Sequence, residues 1–189
     1  MHCVETARLL LRPFQHHGDG EGLFSVVGND PDMTWDHSTR QLDMVTRTAA
    51  DRAKHFDEHD FGVWAVVEKE SASMIGQCGL QRLPESEKIE IVVYTAKRLW
   101  RSGYAYEACV ASLRYGFEVL KKDEILAVVR LENESAKKLM LKLGFTHLRF
   151  DHLYETEVEV FVIKRENFFA SLDDLFIVRP CPRTDPAPA

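Results

Sequence analysis

The stretch that most limits the fold runs from residue 89 to residue 129. It opens on IEIVVYT (89–95), crosses Trp100-Arg101-Ser102-Gly103-Tyr104-Ala105, continues with a helical pattern over 105–120 and ends on ILAVV (125–129). A short continuous apolar run like ILAVV is the mark of a strand buried on both faces. A strand, a helix and a second strand in succession place the two strands parallel, joined by a right-handed crossover. The loop before the helix has small residues at Gly103 and Ala105. Small residues let backbone N–H groups approach a ligand closely. The first N–H groups of a helix have no internal partners and sit at the positive end of its dipole. The strand–loop–helix is therefore a ready anion site, most often for phosphate, unless Gly103 serves chain geometry alone.

The rest of the chain organises around that crossing. Residues 6–14 read as a first strand closed by Pro13. Residues 19–60 are helical in pieces, with a break at 28–31. Residues 61–68, 74–83 and 89–95, separated by polar turns, read as an antiparallel meander. Gly76 and Gly79 inside the middle strand suggest a bulge or a close backbone approach. Asn133 is placed to cap a helix over 135–143, and Gly144 to stop it. Residues 146–150 and 158–164 form a last pair of strands. The pattern weakens after 168, and four of the seven prolines fall in the last ten residues. The reading is one domain over 1–168 and an extension over 169–189, flexible from 180.

A net charge of -6 and a pI near 5.8 argue against nucleic-acid binding. No apolar run approaches the roughly 18 residues that a membrane span needs. The N-terminal residues are interrupted by Glu5, Arg8 and Arg12, which is unlike a signal peptide. Cys3, Cys78, Cys109 and Cys181 are scattered without a CxxC pair, so no structural zinc is expected and reduced thiols in a cytoplasm are the preferred reading. Residues 19–60 carry ten acids against four Arg or Lys, an excess equal to the net charge of the whole chain. Such a segment is either a pair of solvated helix faces or a mouth that attracts a cationic amine.

Three local matches, in order, resemble the GNAT superfamily of acyl-CoA-dependent N-acetyltransferases, and within it the RimJ/RimL-type branch. ETARLLLRPF at 5–14 is similar to the branch's opening strand, E-T-x-R-L-x-L-R. Residues 100–108, WRSGYAYEA, are similar to its W-G-x-G-Y-A-x-E-A. Asn133-Glu134-Ser135-Ala136 followed by Lys142-Leu143-Gly144-Phe145 is similar to its N-x-x-S and K-L-G-F. The resemblance covers residues 5–164. It implies an α+β fold: a mixed sheet of about seven strands, a meander and then a splayed parallel pair, flanked by about four helices. It implies acetyl-CoA as co-substrate, with no metal. Trp100, Arg101, Ser102, Gly103, Tyr104 and Ala105 would hold the pyrophosphate of coenzyme A. The pantetheine arm would lie along Val93, Tyr94 and Thr95, flanked by Asn133 and by the helix that carries Lys142.

Acetyl transfer to an amine needs a base, because an ammonium is not a nucleophile. It also needs donors for the oxyanion and a route for the thiolate to leave. Glu90 is the base candidate. Between Ile89 and Ile91 its carboxyl would have a raised pKa if it faces the site, although strand alternation turns it from the face of those two isoleucines. The acid is where the chain departs from the family. Met140 stands where many relatives have Tyr, and Ala136 stands where RimL-like relatives have Ser. Ser135 is the nearest hydroxyl, one residue and about 100° round the helix. Arg101 replaces a usual Gly and either offers a further phosphate contact or faces solvent. Trp35, in a polar loop, is the candidate acceptor contact, whereas Trp64, mid-strand, reads as core.

The expected activity is acetyl transfer from acetyl-CoA to a primary amine by direct attack in a ternary complex. The acceptor is a protein N-terminus, a small cationic amine or an aminoglycoside-like antibiotic. Met140 and Ala136 leave a non-catalytic acyl-CoA sensor as the alternative. A cytoplasmic monomer or homodimer, without nucleic-acid or membrane partners, completes the expectation.

Overall fold

The computed structural model describes residues 1–28, 30–33, 38–84, 86–168 and 175–181. The strands are β1 (His2–Glu5), β2 (Leu9–Arg12), β3 (Val63–Glu68), β4 (Met74–Arg82), β5 (Ile89–Thr95), β6 (Glu124–Arg130), β7 (Thr146–Leu153), β8 (Thr156–Lys164) and β9 (Ile177–Pro180). The helices are α1 (Asp19–Val27), α2 (Leu42–His59), α3 (Tyr104–Arg114) and α4 (Glu134–Lys142). Among the described residues the strands form a single sheet in the order β7-β8-β6-β5-β4-β3-β2-β1-β9. All pairings are antiparallel except β5 with β6. The mixed α+β architecture and the splayed pair are as the motifs imply, with nine strands in place of about seven.

The two sheet faces are covered by different helix pairs. Ile89, Ile91, Ile125, Ala127 and Val129 pack with Ala108, Ala111 and Leu113 of α3 and with Met140 of α4. Tyr94, Ala65 and Phe14 pack with Leu23 and Val26 of α1 and with Val45, Ala49 and Ala53 of α2. The spacing 45, 49, 53, 56 is the apolar stripe of an amphipathic helix, and all four residues are buried. Trp64 is fully buried, as its mid-strand position suggests. Its ring sits 4.9 Å from that of Tyr115 and 5.5 Å from that of Phe56, and its Nε1 donates to the His2 carbonyl at 3.0 Å. A buried indole needs that acceptor, since an unpaired N–H in the core would be costly.

Each end of the chain adds a strand to the sequence reading. Residues 6–14 hold the expected strand, β2 at Leu9–Arg12, ending before Pro13. The chain turns at Thr6, whose hydroxyl accepts from Leu9 N at 3.0 Å, so β1 precedes β2 as a separate strand. The extension after 168 contributes a strand: β9 pairs antiparallel with β1, Cys3 facing Arg179. That pairing brings Cys181 beside Cys3, and the two form a disulfide, against the expectation of reduced thiols. Spacing along the chain could not signal it, because the partners are 178 residues apart. Cys78 and Cys109 are buried and free. Residues 182–189 lie outside the described residues. No helix among the described residues is long and apolar enough to cross a membrane.

Candidate active site

The parallel pair opens into a cleft. Strands β5 and β6 share one register pair, Glu90 with Leu126, and diverge after it. Beyond Glu90 the edge of β5 that faces away from β4 has no strand partner. Its N–H and C=O groups therefore face a gap, where a ligand can satisfy them. A cavity of about 260 Å³ fills that gap, lined on one side by Glu90–Tyr94 of β5 and on the other by Ala127–Arg130 of β6. Asn133, Ala136 and Met140 close it from α4, and Arg52, Gln81 and Tyr154 from the opposite side. Gly76 lets β5 approach β4 at this level: a Cβ there would lie 2.1 Å from the Tyr94 carbonyl oxygen. The expected close approach in β4 is thus real, and it fixes the strand that lines the cleft.

Glu90 faces the cavity. Alternation does turn it from Ile89 and Ile91, but the other face is not solvent. Gln81 lies opposite Glu90 on β4, and the turn between β7 and β8 brings Tyr154 over it. The carboxylate is 3% exposed. Its Oε1 accepts from Gln81 Nε2 at 2.8 Å and from the Tyr154 hydroxyl in a short contact. Burial raises the Glu90 pKa above the usual carboxylate range, against the pull of the Tyr154 and Gln81 hydrogen bonds. Burial also raises the Tyr154 pKa, helped by its bond to Glu90, so the phenol stays protonated. Tyr154 has a left-handed backbone, φ 53°, at the hairpin turn. Sequence reasoning missed it, because a tyrosine in a turn outside the matched motifs carries no periodic signal.

The loop before α3 enters the helix through a left-handed turn. Gly103 precedes the helix with φ 88°, and no side chain caps the first turn. Arg101, also left-handed at φ 64°, is exposed. Trp100 Nε1 donates to the Thr95 carbonyl at 2.9 Å and so ties the loop to the end of β5. From β2's side, Arg8 Nη1 donates to the Ser102 carbonyl at 3.0 Å, and its guanidinium lies 4.1 Å from the Tyr104 ring centroid. Ser102 is exposed, Tyr104 and Ala105 half-buried. Lys142, at the end of α4, reaches within 4.6 Å of the Tyr106 ring centroid and bridges α4 to the first turn of α3.

The structure thus gathers Glu90, Val93, Tyr94 and Asn133 around one cavity. Thr95, the last residue of β5, is buried, and 100–105 lead into α3; none of these is in the cavity lining. Asn133 caps α4 as expected, its Oδ1 accepting from Ala136 N at 3.0 Å. Ser135 is different. It is exposed and absent from the lining, while Ala136 and Met140 hold the inner face of α4. The 100° rotation that separates Ser135 from Ala136 is enough to turn its hydroxyl away. Trp35 lies outside the described residues. The acids of 19–60 do not line the cavity among the described residues. Several are paired on the surface or at helix ends: Asp19 with Arg12 at 2.6 Å, Asp57 with His16 at 3.0 Å, Asp60 with the N-terminal ammonium at 3.2 Å.

Comparison with known proteins agrees with this geometry. The acetyltransferase (GNAT) domain family matches residues 8–146. The chain is 28% identical over 166 residues to YkkB of Bacillus subtilis, covering 86% of this chain and 95% of that protein. It is 28% identical over 146 residues to the uncharacterized N-acetyltransferase YoaA of the same organism, covering 75% of this chain and 81% of that one. In three dimensions it superposes on an acetyltransferase (GNAT family) from Bacillus anthracis with a TM-score of 0.74 at 19% identity, covering 87% and 99% of the two chains. The family match spans the splayed strands, the α3 loop and α4 together, and the chain belongs to the GNAT family of acetyl-CoA-dependent N-acetyltransferases.

Proposed function

We propose that this enzyme acetylates a primary amine by direct attack on acetyl-CoA, with Glu90 as general base and Tyr154 as the proton donor to the leaving thiolate. The observation that carries the reading is the buried Glu90–Tyr154 pair at the floor of the gap between β5 and β6. Glu90 takes a proton from the ammonium, directly or through a water, and its raised pKa suits that task near neutral pH. The amine nitrogen then bonds to the acetyl carbon. The developing oxyanion is met by the backbone N–H of Val93, on the free edge of β5; that of Tyr94 points to its partner Gln77 on β4. Collapse breaks the C–S bond. The thiolate takes the phenolic proton of Tyr154, which regains one from solvent or from Glu90.

In this reading the pantetheine arm runs along Val93, Tyr94 and Thr95, with Asn133 across from it. The pyrophosphate sits on the loop 100–105, near Lys142, on N–H groups other than those of Trp100 and Ser102, which donate to the Lys97 and Leu99 carbonyls. Support comes from the uncapped first turn of α3 and from the tether of Trp100 to Thr95. The test is incubation with acetyl-CoA and a panel of amines, including peptides, polyamines, amino acids and aminoglycosides, with free thiol followed over time. Amine-dependent thiol release that Glu90→Gln abolishes is expected. Saturable acetyl-CoA binding with no release on any amine would instead make the chain an acyl-CoA sensor.

A further inference from the structure

Arg52 is the group in the cleft that the chemistry above leaves unused. It projects from α2 and lines the same cavity as Glu90. Its Nε is inaccessible to solvent and has no hydrogen-bond partner. Among the described residues no carboxylate pairs with its guanidinium. Burial is costly enough to pull its pKa down to about 10, and the largest electrostatic relief it finds is the Tyr94 phenol. Arg130 lines the same cavity but is paired with Glu132 at 3.1 Å, and Glu90 lies at the cavity's other end. Beside Tyr94 on β4 lies Gln77, which faces it across the ladder and whose Oε1 is buried without a partner. Arg52 as a whole is half-buried, and a folded chain keeps a buried, unpaired guanidinium nitrogen only where something else compensates it. Arginine's planar fork matches a carboxylate in a bidentate pair better than any other side chain does.

We propose that the acceptor is an amino carboxylate, an amine that carries a free carboxylate held by Arg52 while its nitrogen faces Glu90. This rests on the acetyltransferase reading and narrows it, and it reverses the expectation of a purely cationic acceptor. The two ends of the cavity divide the labour. Among the described residues Glu90 supplies the one carboxylate in the lining, at the β5–β6 junction, and Arg52 supplies the anion-binding end under α2. A cavity of about 260 Å³ holds a small amino acid or the end of a short chain. The phosphates of the coenzyme are not the partner of Arg52, because their expected seat is the N-terminus of α3 on the opposite face of the sheet.

The experiment compares each of the common amino acids with its methyl ester and its decarboxylated amine. Thiol release is measured for wild type, Arg52→Gln and Arg52→Lys. The same ligands are titrated calorimetrically into the protein saturated with desulfo-CoA. The expected result is a kcat/KM at least tenfold higher for at least one free acid than for its ester. That preference is lost in R52Q and kept in part in R52K, with acetyl-CoA affinity unchanged. Thermal melting of R52Q at or above wild type shows that the loss is not misfolding. Equal use of acid and ester by wild type, or an equal loss on both in R52Q, overturns the proposal and leaves the acetyltransferase reading standing. Arg52-dependent binding of a free acid without thiol release on any amine overturns the proposal together with the catalytic reading, because the acid then occupies the cleft without accepting the acetyl group. No binding and no transfer with any free acid overturns the proposal.

Discussion

Glu90→Gln separates catalysis from stability because the two are set against each other at this residue. The substitution keeps the shape and keeps an oxygen to accept from Gln81 and Tyr154. It removes the basic lone pair and the charge. Loss of a positioned general base costs about 10²–10⁴-fold in rate, or roughly 3–5 kcal/mol of barrier at 1.36 kcal/mol per decade. The stability effect has the opposite sign. Burial raises the Glu90 pKa, so the native state binds this proton more tightly than the unfolded chain does. Stability from this group is therefore full below the unfolded value of 4.5 and is lost as pH rises through the native value. The variant lacks that loss. Glu90→Gln should melt higher than wild type at pH 8, with the difference closing as pH falls toward 4.5. The assays are thiol release against pH, where wild-type kcat/KM rises through the native Glu90 pKa, and thermal melts over the same range. A variant within threefold of wild-type rate, or one whose stability deficit grows with pH, refutes the assignment.

Tyr154→Phe removes the donor that lowers the Glu90 pKa, so the rising limb of the pH–rate profile should move to higher pH while kcat falls about 10-fold or more; an unmoved limb contradicts the pair. Gly103→Asp places a carboxylate at the N-terminus of α3 and a side chain at φ 88°, and acetyl-CoA should bind at least tenfold more weakly by calorimetry, with little change in kcat at saturation. Gly76→Val drives a branched side chain into the Tyr94 carbonyl and should lose activity and about 3 kcal/mol of stability in denaturant unfolding. Reduction of Cys3–Cys181, or Cys3→Ser, should release β9 from β1 and lower stability by about 2–5 kcal/mol in denaturant unfolding while acetyl transfer persists, since β4, β3, β2 and β1 separate β9 from the cleft.

The central strands and their helices were legible because their signals are local. The apolar run at 125–129, the glycine at 103 and the Asn133 cap each act through neighbours a few residues away. What was not legible depends on distant chain meeting. The orientation of Glu90 could not be decided by alternation, which says which side a residue takes but not what covers that side. The covering comes from Tyr154, 64 residues on. Strand β9 and its disulfide are edge features made by a segment with almost no periodicity, pairing with the other end of the chain. Ser135 shows the reverse error: the right residue type in the right motif, turned off the cavity by one step of the helix. Arg52 read as one charge on an acidic, solvated helix, and only its place beneath Tyr94 distinguishes it from its neighbours.

The single register pair between β5 and β6 has a thermodynamic side. A sheet that stops pairing in its middle is an incomplete fold, and the acyl-pantetheine amides are of the right chemistry to complete it. If the co-substrate serves as the missing rung of the ladder, the folded population depends on its concentration. At a hundred times the dissociation constant, mass action adds about 2.7 kcal/mol to the native state. The protein would then be most resistant to unfolding and proteolysis when acetyl-CoA is plentiful, and most readily cleared when it is scarce. Its abundance, and not only its turnover, would follow the supply of the acetyl donor.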